Sequence, residues 1–279
     1  MTEQKRGKLK RVLDEVPPGF VVDSRWLSRH GVARSSAHDY DRERWLERIA
    51  HGVYRRPSLQ TDSQALHDWR VPILSAQWIM HYDFHVGGMS ALALDGHDHY
   101  LALGRDSDVY LYGRPPTWLP KLPLDTRFRI RSRQKLFGPD PEGVENSDFD
   151  PKGADAPNPW NWPFKRSTLE RATLEALNEL PDKESFHKID MVFQGLTTLR
   201  PRHLTNLLMA CKSVKAKRLF FLFADRHRHR WLAHVDRSQI DLGSGPRALV
   251  EDGRYAADYQ LMVPEEFATA VRQEAQDGA

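Results

Sequence analysis

The chain has 279 residues, of which 40% are hydrophobic and 28% are charged, so it can fill a core and stay soluble as one large domain or two smaller ones. Its single cysteine, Cys211, excludes an internal disulfide and a multi-cysteine zinc site, and it favours a reducing, cytoplasmic location. No apolar run approaches the ~20 residues that a membrane helix needs.

Positive charge is concentrated near the start of the chain. Residues 1–60 hold 13 Lys and Arg against 8 Asp and Glu, whereas the remaining residues hold 28 against 30. Such an excess is typical of a surface that meets a phosphate backbone. We therefore expect any nucleic-acid partner to contact residues 1–60.

Local patterns over 1–60 predict a winged helix-turn-helix. Apolar residues recur at helical spacing over 3–16, and an extended piece follows at 20–22. Asp23 then caps a second helix, which ends at Gly31. We predict that its Trp26 and Leu27 lie in the core.

A third helix is predicted to start at Ser35 or Ser36, whose hydroxyl would cap the first turn. Tyr40 and Trp45 are predicted core residues. Residues 46–56 then alternate around a His51-Gly52 turn, which predicts a two-stranded basic ribbon.

We predict that polar side chains of these elements bind DNA. His38 and Arg42 would face the major groove, with Ser35 and Ser36 near phosphate. The cationic side chains that would contact phosphates or the minor groove are Lys8, Arg48, Arg55 and Arg56. The alternative is a solvated helix and hairpin with ordinary surface charge.

The polar residues 61–70 predict a linker, and residues 71–279 predict a larger mixed α/β domain, so we expect an α+β fold. Residues 138–163 hold six prolines and three glycines and predict a long mobile loop. Residues 99–112 predict two strands with a turn region at 104–108 between them, and residues 128–131 predict another strand.

The last third of the chain is predicted to be mostly helical. Ser167 and Glu170 have the spacing of a capping box at a helix start. Further helices are predicted over 189–196 and 201–211, and a last strand over 261–263. The apolar run Leu219–Phe223 predicts a strand in the centre of a sheet.

In this order, the segments resemble the AbiEi family of antitoxins from bacterial type IV (abortive infection) toxin–antitoxin pairs. The stretches that carry the resemblance are WLERIAHGVYRRP (45–57), VGGMSALALDGHDHYLALG (86–104), VYLYG (109–113), STLERATLEALNELP (167–181), KRLFFLFADRHRHRWLAHVDRSQIDLGSGPRALV (217–250) and YQLMVPEEF (259–267). None of them is a catalytic signature; their order and spacing make the resemblance specific.

The resemblance implies two activities. The winged helix would bind inverted repeats of double-stranded DNA in the promoter of its own operon and repress it. The C-terminal antitoxin domain, residues 71–279, would counter a nucleotidyltransferase-like toxin without a stable complex. It implies no catalytic residue, and we expect no cofactor, metal or membrane partner.

Two clusters of polar residues leave other functions open. His81, His85, His97 and His99 could supply metal ligands, or they could flank a turn and bind backbone groups. A metal-dependent nuclease with a winged-helix targeting domain is therefore one alternative, and a ligand-sensing transcriptional regulator is another.

The second cluster follows the apolar run and alternates as it would on a strand. Its members are Arg226, His227, Arg228, His229 and Arg230. They could form the surface that opposes the toxin, or bind phosphate or nucleic acid, or form a charged structural turn. Cys211 lies in an apolar helical context that favours burial over catalysis.

Overall fold

The computed structural model describes residues 3–58, 68–97, 107–138 and 142–268. Packing divides the chain into two units, and the chain passes between them more than once. Unit 1 contains residues 1–85, 102–131 and 146–165, and unit 2 contains residues 86–101, 132–145 and 166–279. The division of domains at a 61–70 linker stays a prediction, because residues 59–67 lie outside the described residues.

Unit 1 begins with a small helical and stranded assembly, residues 3–57, which we call the head. Its elements are α1 (Glu3–Glu15), β1 (Val21–Asp23), α2 (Ser24–Arg29), α3 (Arg34–Arg42), β2 (Glu47–Ala50) and β3 (Val53–Arg55). The strands form an antiparallel sheet in the order β1-β3-β2. The predicted order of three helices and a ribbon, and the α+β class, are confirmed.

Two local features that the sequence predicts in the head are present in the structure, the cap of α2 and the turn of the β2–β3 hairpin. The Asp23 carboxylate accepts a hydrogen bond from the Trp26 amide at 2.7 Å and so caps α2. Gly52, with a φ of +72°, completes the tight turn between β2 and β3. Trp26 and Tyr40 are buried as predicted.

Two predictions within the head are wrong. The residue that precedes α3 is Ala33, which makes no side-chain cap, so Ser35 and Ser36 lie inside the first turn and do not cap it. Trp45 is 47% exposed rather than buried. Arg44 has a φ of +60°, which turns the chain so that Leu46, and not Trp45, points into the core.

The middle of the chain contributes short elements to both units. They are α4 (Arg70–Leu74), β4 (Phe84–Val86), α5 (Gly88–Leu94), β5 (Ser107–Gly113), β6 (Thr126–Arg131), α6 (Arg133–Leu136), β7 (Val144–Glu145) and β8 (Arg166–Ser167). Within unit 1, β5 and β6 pair in parallel. Within unit 2, β7 and β8 pair antiparallel. The strand predicted around residues 100–103 lies outside the described residues.

The head is bonded to the rest of unit 1. Trp26 Nε1 donates to the Ile79 carbonyl at 3.0 Å, and the Val21 amide donates to Ser75 Oγ at 3.1 Å. The Phe20 ring packs edge-on against Trp160 and Trp162. The predicted long loop is therefore anchored by aromatic side chains where it crosses unit 1.

The last third of the chain builds most of unit 2. Its elements are α7 (Leu169–Asn178), α8 (Phe186–Gly195), α9 (Pro201–Ala210), α10 (Val214–His227), β9 (Arg247–Ala248), β10 (Arg254–Ala256), β11 (Leu261–Val263) and α11 (Glu265–Ala268). The three strands form a small sheet in which β11 is central. The predicted helices over 189–196 and 201–211 and the last strand are confirmed.

The strand predicted over Leu219–Phe223 is wrong, because these residues form the middle of α10. Ser213 caps this helix by accepting a hydrogen bond from the Ala216 amide at 3.2 Å. The run is apolar because α10 is buried on every side over 216–224. A helix buried all round shows no amphipathic period, so its sequence looks like a buried strand.

A buried ion pair lies at the centre of unit 2. Arg171 Nε donates to Glu175 Oε1 at 2.9 Å, and neither side chain is exposed. Glu175 Oε2 also accepts from the Gly88 amide at 2.9 Å and from Ser167 Oγ at 2.7 Å. The predicted capping box is wrong by one residue, because Thr168 caps α7 and Ser167 bonds to Glu175.

Candidate nucleic-acid interface

An open cleft in unit 1 lies between α3, the β2–β3 hairpin, the start of α2 and a loop at 114–123. Its volume is about 1210 Å³. We call it the basic groove, because exposed cationic side chains line it. They are Arg25, Arg34, Arg48 and Lys121, together with the histidines His38 and His51.

One face of α3 forms a wall of the basic groove. Arg34, Ala37, His38 and Asp41 line it and recur at i, i+3, i+4 and i+7, which is the spacing of a single helix face. The opposite face is buried through Ser36 and Tyr40. Tyr40 also donates to the Lys5 carbonyl at 2.9 Å, which fixes α3 on α1. The helix therefore presents polar side chains from a rigid support.

The hairpin places Arg48 beside this face. The Arg48 amide donates to Asp41 Oδ1 at 2.9 Å, which joins β2 to the last turn of α3. Among the described residues, its guanidinium contacts the Ala50 carbonyl at 3.4 Å from Nε and remains exposed. Arg48 is thus held by its backbone while its charge faces the solvent.

The carboxylates that line the basic groove offset only part of its positive charge. The two acidic lining residues, Asp23 and Asp41, both accept hydrogen bonds from neutral donors. Within the described part of the chain, Arg25, Arg34, Arg48 and Lys121 form no ion pair. An anionic ligand that binds several charges at once would neutralise them.

Asp23 joins three elements around the basic groove. Besides capping α2, it accepts from Tyr82 Oη at 2.6 Å and from Trp118 Nε1 at 2.9 Å. Burial and the hydrogen bond to this carboxylate raise the pKa of Tyr82 to about 12. The carboxylate is 4% exposed, so its bonds to both side chains are shielded from water.

The predicted DNA-binding residues are only partly brought together. His38 and Arg48 line the basic groove, whereas Ser35 and Arg42 are exposed on α3 outside its lining. Arg42 lies 3.3 Å from Asp39, and the hydrogen bond from Lys5 to Asp39 lowers the pKa of that carboxyl.

Two further predicted residues lie in less accessible places. Ser36 is buried against the core of the head, and Lys8 is half-buried on α1. Neither side chain lines the basic groove.

The prediction for Arg55 and Arg56 needs correction, because both guanidinium groups bind within the head. Arg55 Nη2 lies 2.5 Å from Glu47 Oε2 across the hairpin. Arg56 Nη1 donates to the Leu13 carbonyl at 2.5 Å and to the Val16 carbonyl at 2.8 Å. Arg56 thereby satisfies carbonyl groups at the end of α1, which is a structural role.

We expect Arg56→Ala to lower the free energy of unfolding by about 1–3 kcal/mol, because it removes charge-assisted hydrogen bonds to part-buried carbonyl groups. Denaturant unfolding measures this. Arg48→Ala is the matched control, because it removes the same charge from an exposed position, and its effect should stay within about 0.5 kcal/mol. Equal stabilities of the two variants would contradict the structural assignment.

Arg25, Arg34 and Lys121 are groove residues that the sequence analysis did not single out. Arg34 could have been found, since it lies one helical turn before His38 on the same face. Arg25 and Lys121 carry no such local signal, because only the fold brings α2 and the 114–123 loop to the basic groove.

The cluster predicted to oppose the toxin does not lie on a strand. Asp225 to His227 form the end of α10, and Arg228 follows in the left-handed conformation. Arg226 Nε and His227 Nε2 lie 3.0 and 2.7 Å from Asp190 Oδ1 on α8. His229 Nε2 lies 2.7 Å from the Phe193 carbonyl, while Arg230 is exposed. Three of the five side chains are thus bonded to α8.

The structure also bears on the predicted metal ligands, on Cys211 and on membrane-spanning helices. Among the described residues, no three His, Cys, Asp or Glu side chains converge as metal ligands would, and His99 lies outside them. His85 is buried and stacks on Tyr112. Cys211 is buried as expected, and that burial raises the pKa of its thiol to about 11. No described helix combines the length and apolarity that crossing a membrane requires.

Comparison with protein families gives two matches along the chain. The family described as "Transcriptional regulator, AbiEi antitoxin N-terminal domain" matches residues 5–103. The family described as "Transcriptional regulator, AbiEi antitoxin, Type IV TA system" matches residues 106–264. No curated protein matches the chain in sequence.

Among solved structures, the fold is similar to the crystal structure of the RV2827C protein from Mycobacterium tuberculosis. The TM-score is 0.50, and the alignment covers 94% of this chain and 92% of that chain. The two sequences are 16% identical, so this similarity concerns the fold alone.

Proposed function

Because the chain belongs to the AbiEi family of type IV antitoxins and transcriptional regulators, we propose that its head is a winged helix that represses its own operon by binding operator DNA. The observation that carries the proposal is the basic groove. It combines the exposed face of α3 with four cationic side chains that form no ion pair with a described residue. A regulator of this family is not an enzyme.

The proposed DNA contacts are of two kinds, contacts to base edges and contacts to backbone phosphates. His38 and Arg34, on the exposed face of α3, approach base edges in the major groove. Arg48, from the hairpin, binds a phosphate next to them, and Ser35 and Arg42 extend the contact along α3. Inverted repeats in the operator would each bind one copy of the head.

The antitoxin half of the proposal concerns unit 2 and a nucleotidyltransferase-like toxin, opposed without a stable complex. Its predicted surface is the segment from Arg226 to Arg230. Arg226, His227 and His229 are bonded to α8, and Arg228 and Arg230 are the exposed members of the segment. We propose that the protein encounters both the operator and the toxin in the cytoplasm.

Operator binding tests the regulatory half directly. We expect the full chain to bind a duplex that carries the promoter's inverted repeats more tightly than a scrambled duplex of equal length. The logarithm of the affinity should fall linearly with the logarithm of the salt concentration, with a slope of ~0.9 per phosphate contact. Fluorescence anisotropy over a KCl series measures both. Equal affinity for the two duplexes, or a slope near zero, would overturn the proposal.

A further inference from the structure

The loop at residues 114–123 lines the basic groove although it lies far from the head in sequence. It contributes Thr117, Trp118, Lys121 and Pro123 to the lining. Lys121 is exposed, and it forms no ion pair within the described part of the chain. A solvent-facing lysine therefore lies on the same cleft as the polar face of α3.

The backbone of this loop is rigid. It contains four prolines, at 115, 116, 120 and 123, each of which fixes one backbone dihedral. Leu119 and Leu122 are buried on either side of Lys121, and residues Leu119–Lys121 form one turn of 3₁₀ helix. Lys121 is thus held at a fixed place, and little backbone freedom is lost when its ammonium group binds a ligand.

The loop is also joined to the head at one point. Trp118 Nε1 donates to the Asp23 carboxylate, which caps α2 and also accepts from Tyr82. Asp23 therefore fixes the loop to the head at the edge of the basic groove.

Cationic side chains continue along the loop beyond the basic groove. Arg25 lines both that groove and a neighbouring cleft of about 430 Å³, whose lining includes Arg29 and Arg114. The one carboxylate in this second cleft, Asp83, lies 3.6 Å from Arg114, which is 88% exposed, so the pair is weak. A path of positive charge of this kind fits a polyanion such as a duplex better than it fits a small anion.

We propose that the 114–123 loop is a further DNA-contacting element, in which Lys121 binds a backbone phosphate of the same duplex that α3 reads. The inference rests on the proposed function and adds an element from outside the winged helix to it. Lysine acts here as a point charge on a phosphate and does not read bases, so it raises affinity without changing sequence preference. Asp23 and Trp118 are positioning residues.

Operator binding by Lys121→Ala in the full chain tests the inference. We expect roughly a three- to tenfold loss of affinity, and a salt slope smaller by ~0.9, because one phosphate contact is lost. Lys10→Ala is the matched control, since Lys10 is exposed on α1, carries the same charge and does not line the basic groove. Its affinity and slope should equal those of the wild-type chain.

The positioning role is tested by Trp118→Phe, which keeps an aromatic ring and removes the donor to Asp23. It should weaken binding in the wild-type chain and add no further loss to Lys121→Ala. An equal loss in both backgrounds would show general damage and would contradict positioning.

The outcomes separate this inference from the proposed function. If the wild-type chain binds the operator specifically but Lys121→Ala matches Lys10→Ala in affinity and slope, the loop makes no contact and only the inference fails. Tighter binding by Lys121→Ala would also overturn it, since the loop would then obstruct the groove. If the wild-type chain does not prefer its operator, the proposed function itself fails.

Discussion

Changing Arg34 and Arg48 together to alanine should lower operator affinity by about 100-fold, at roughly tenfold, or about 1.4 kcal/mol, for each residue. Both side chains are exposed on the basic groove and form no ion pair with a described residue. Their loss removes charge from the face of α3 and from the hairpin at once. The salt slope should fall by ~0.9, because Arg48 is the one of the two that is proposed to bind a phosphate.

The two single variants refine this expectation. Arg48→Ala should weaken binding to operator and scrambled duplexes alike, because a phosphate contact is independent of sequence. Arg34→Ala should weaken the operator more than the scrambled duplex if it reaches a base edge. Anisotropy on both duplexes distinguishes the roles.

Charge on another part of the head supplies the control. Arg6→Ala with Arg11→Ala removes two exposed cations from α1, neither of which lines the basic groove, and should leave affinity nearly unchanged. The Arg34 and Arg48 double variant should still oppose the toxin when the two proteins are co-expressed, since its changes lie outside unit 2. Retained wild-type affinity in the double variant would show that the groove is not the DNA interface.

Glu175→Ala should lower the free energy of unfolding by about 3–5 kcal/mol, which is the usual cost of breaking a buried ion pair. The change leaves the Arg171 guanidinium buried without its counter-charge. It also removes the acceptor for the Gly88 amide and for Ser167 Oγ, so α5, α7 and β8 lose a common partner. Denaturant unfolding followed by tryptophan fluorescence measures the loss.

A paired replacement makes the cause of this loss testable. Arg171→Met with Glu175→Leu removes both charges and keeps an apolar side chain against Phe137, over whose ring Arg171 lies at 4.5 Å. Since buried ion pairs are often no better than apolar packing, we expect the double variant to be more stable than Glu175→Ala alone. Glu265→Ala, in an exposed pair with Arg254, should change stability by less than about 0.5 kcal/mol. A small loss in Glu175→Ala would contradict the central role of the pair.

The fold of the head could be predicted from sequence because its signals are local. The apolar period of α1, the Asp23 cap and the His51-Gly52 turn each involve residues only a few positions apart. The third helix was placed correctly, but its cap was not, because a serine near a helix start signals a cap without fixing which residue begins the helix.

The apolar middle of α10 shows where local patterns fail. Five apolar residues in a row are compatible with a central strand or with a helix buried on all sides. The Ser213 cap and the length of the helix, from Val214 to His227, decide between them, and the burial itself depends on tertiary packing. The strand-like alternation predicted for the charged residues that follow is therefore wrong, because Asp225 to His227 belong to the end of α10.

The sequence identifies which residues are cationic, but it does not show which of them are bonded within the protein. Arg48 and Arg56 look alike in the sequence, yet one is exposed and the other bonds to the end of α1. Nothing in the sequence around Lys121 marks it as a site residue, and only the folded structure shows that it lines the basic groove. Which cations are free for a ligand is a property of the packed chain.

The bonds that leave the head bear on how the protein can be cut into fragments. In a fragment that ends near residue 60, the Phe20 ring would lose its packing against Trp160 and Trp162. It would also leave the Trp26 indole without the Ile79 carbonyl and the Val21 amide without Ser75 Oγ. Because the fragment would expose aromatic surface to water and leave buried hydrogen-bond donors without acceptors, we expect it to aggregate. All of these partners belong to unit 1, which consists of three separate stretches of chain, so no single pair of cleavage points releases it.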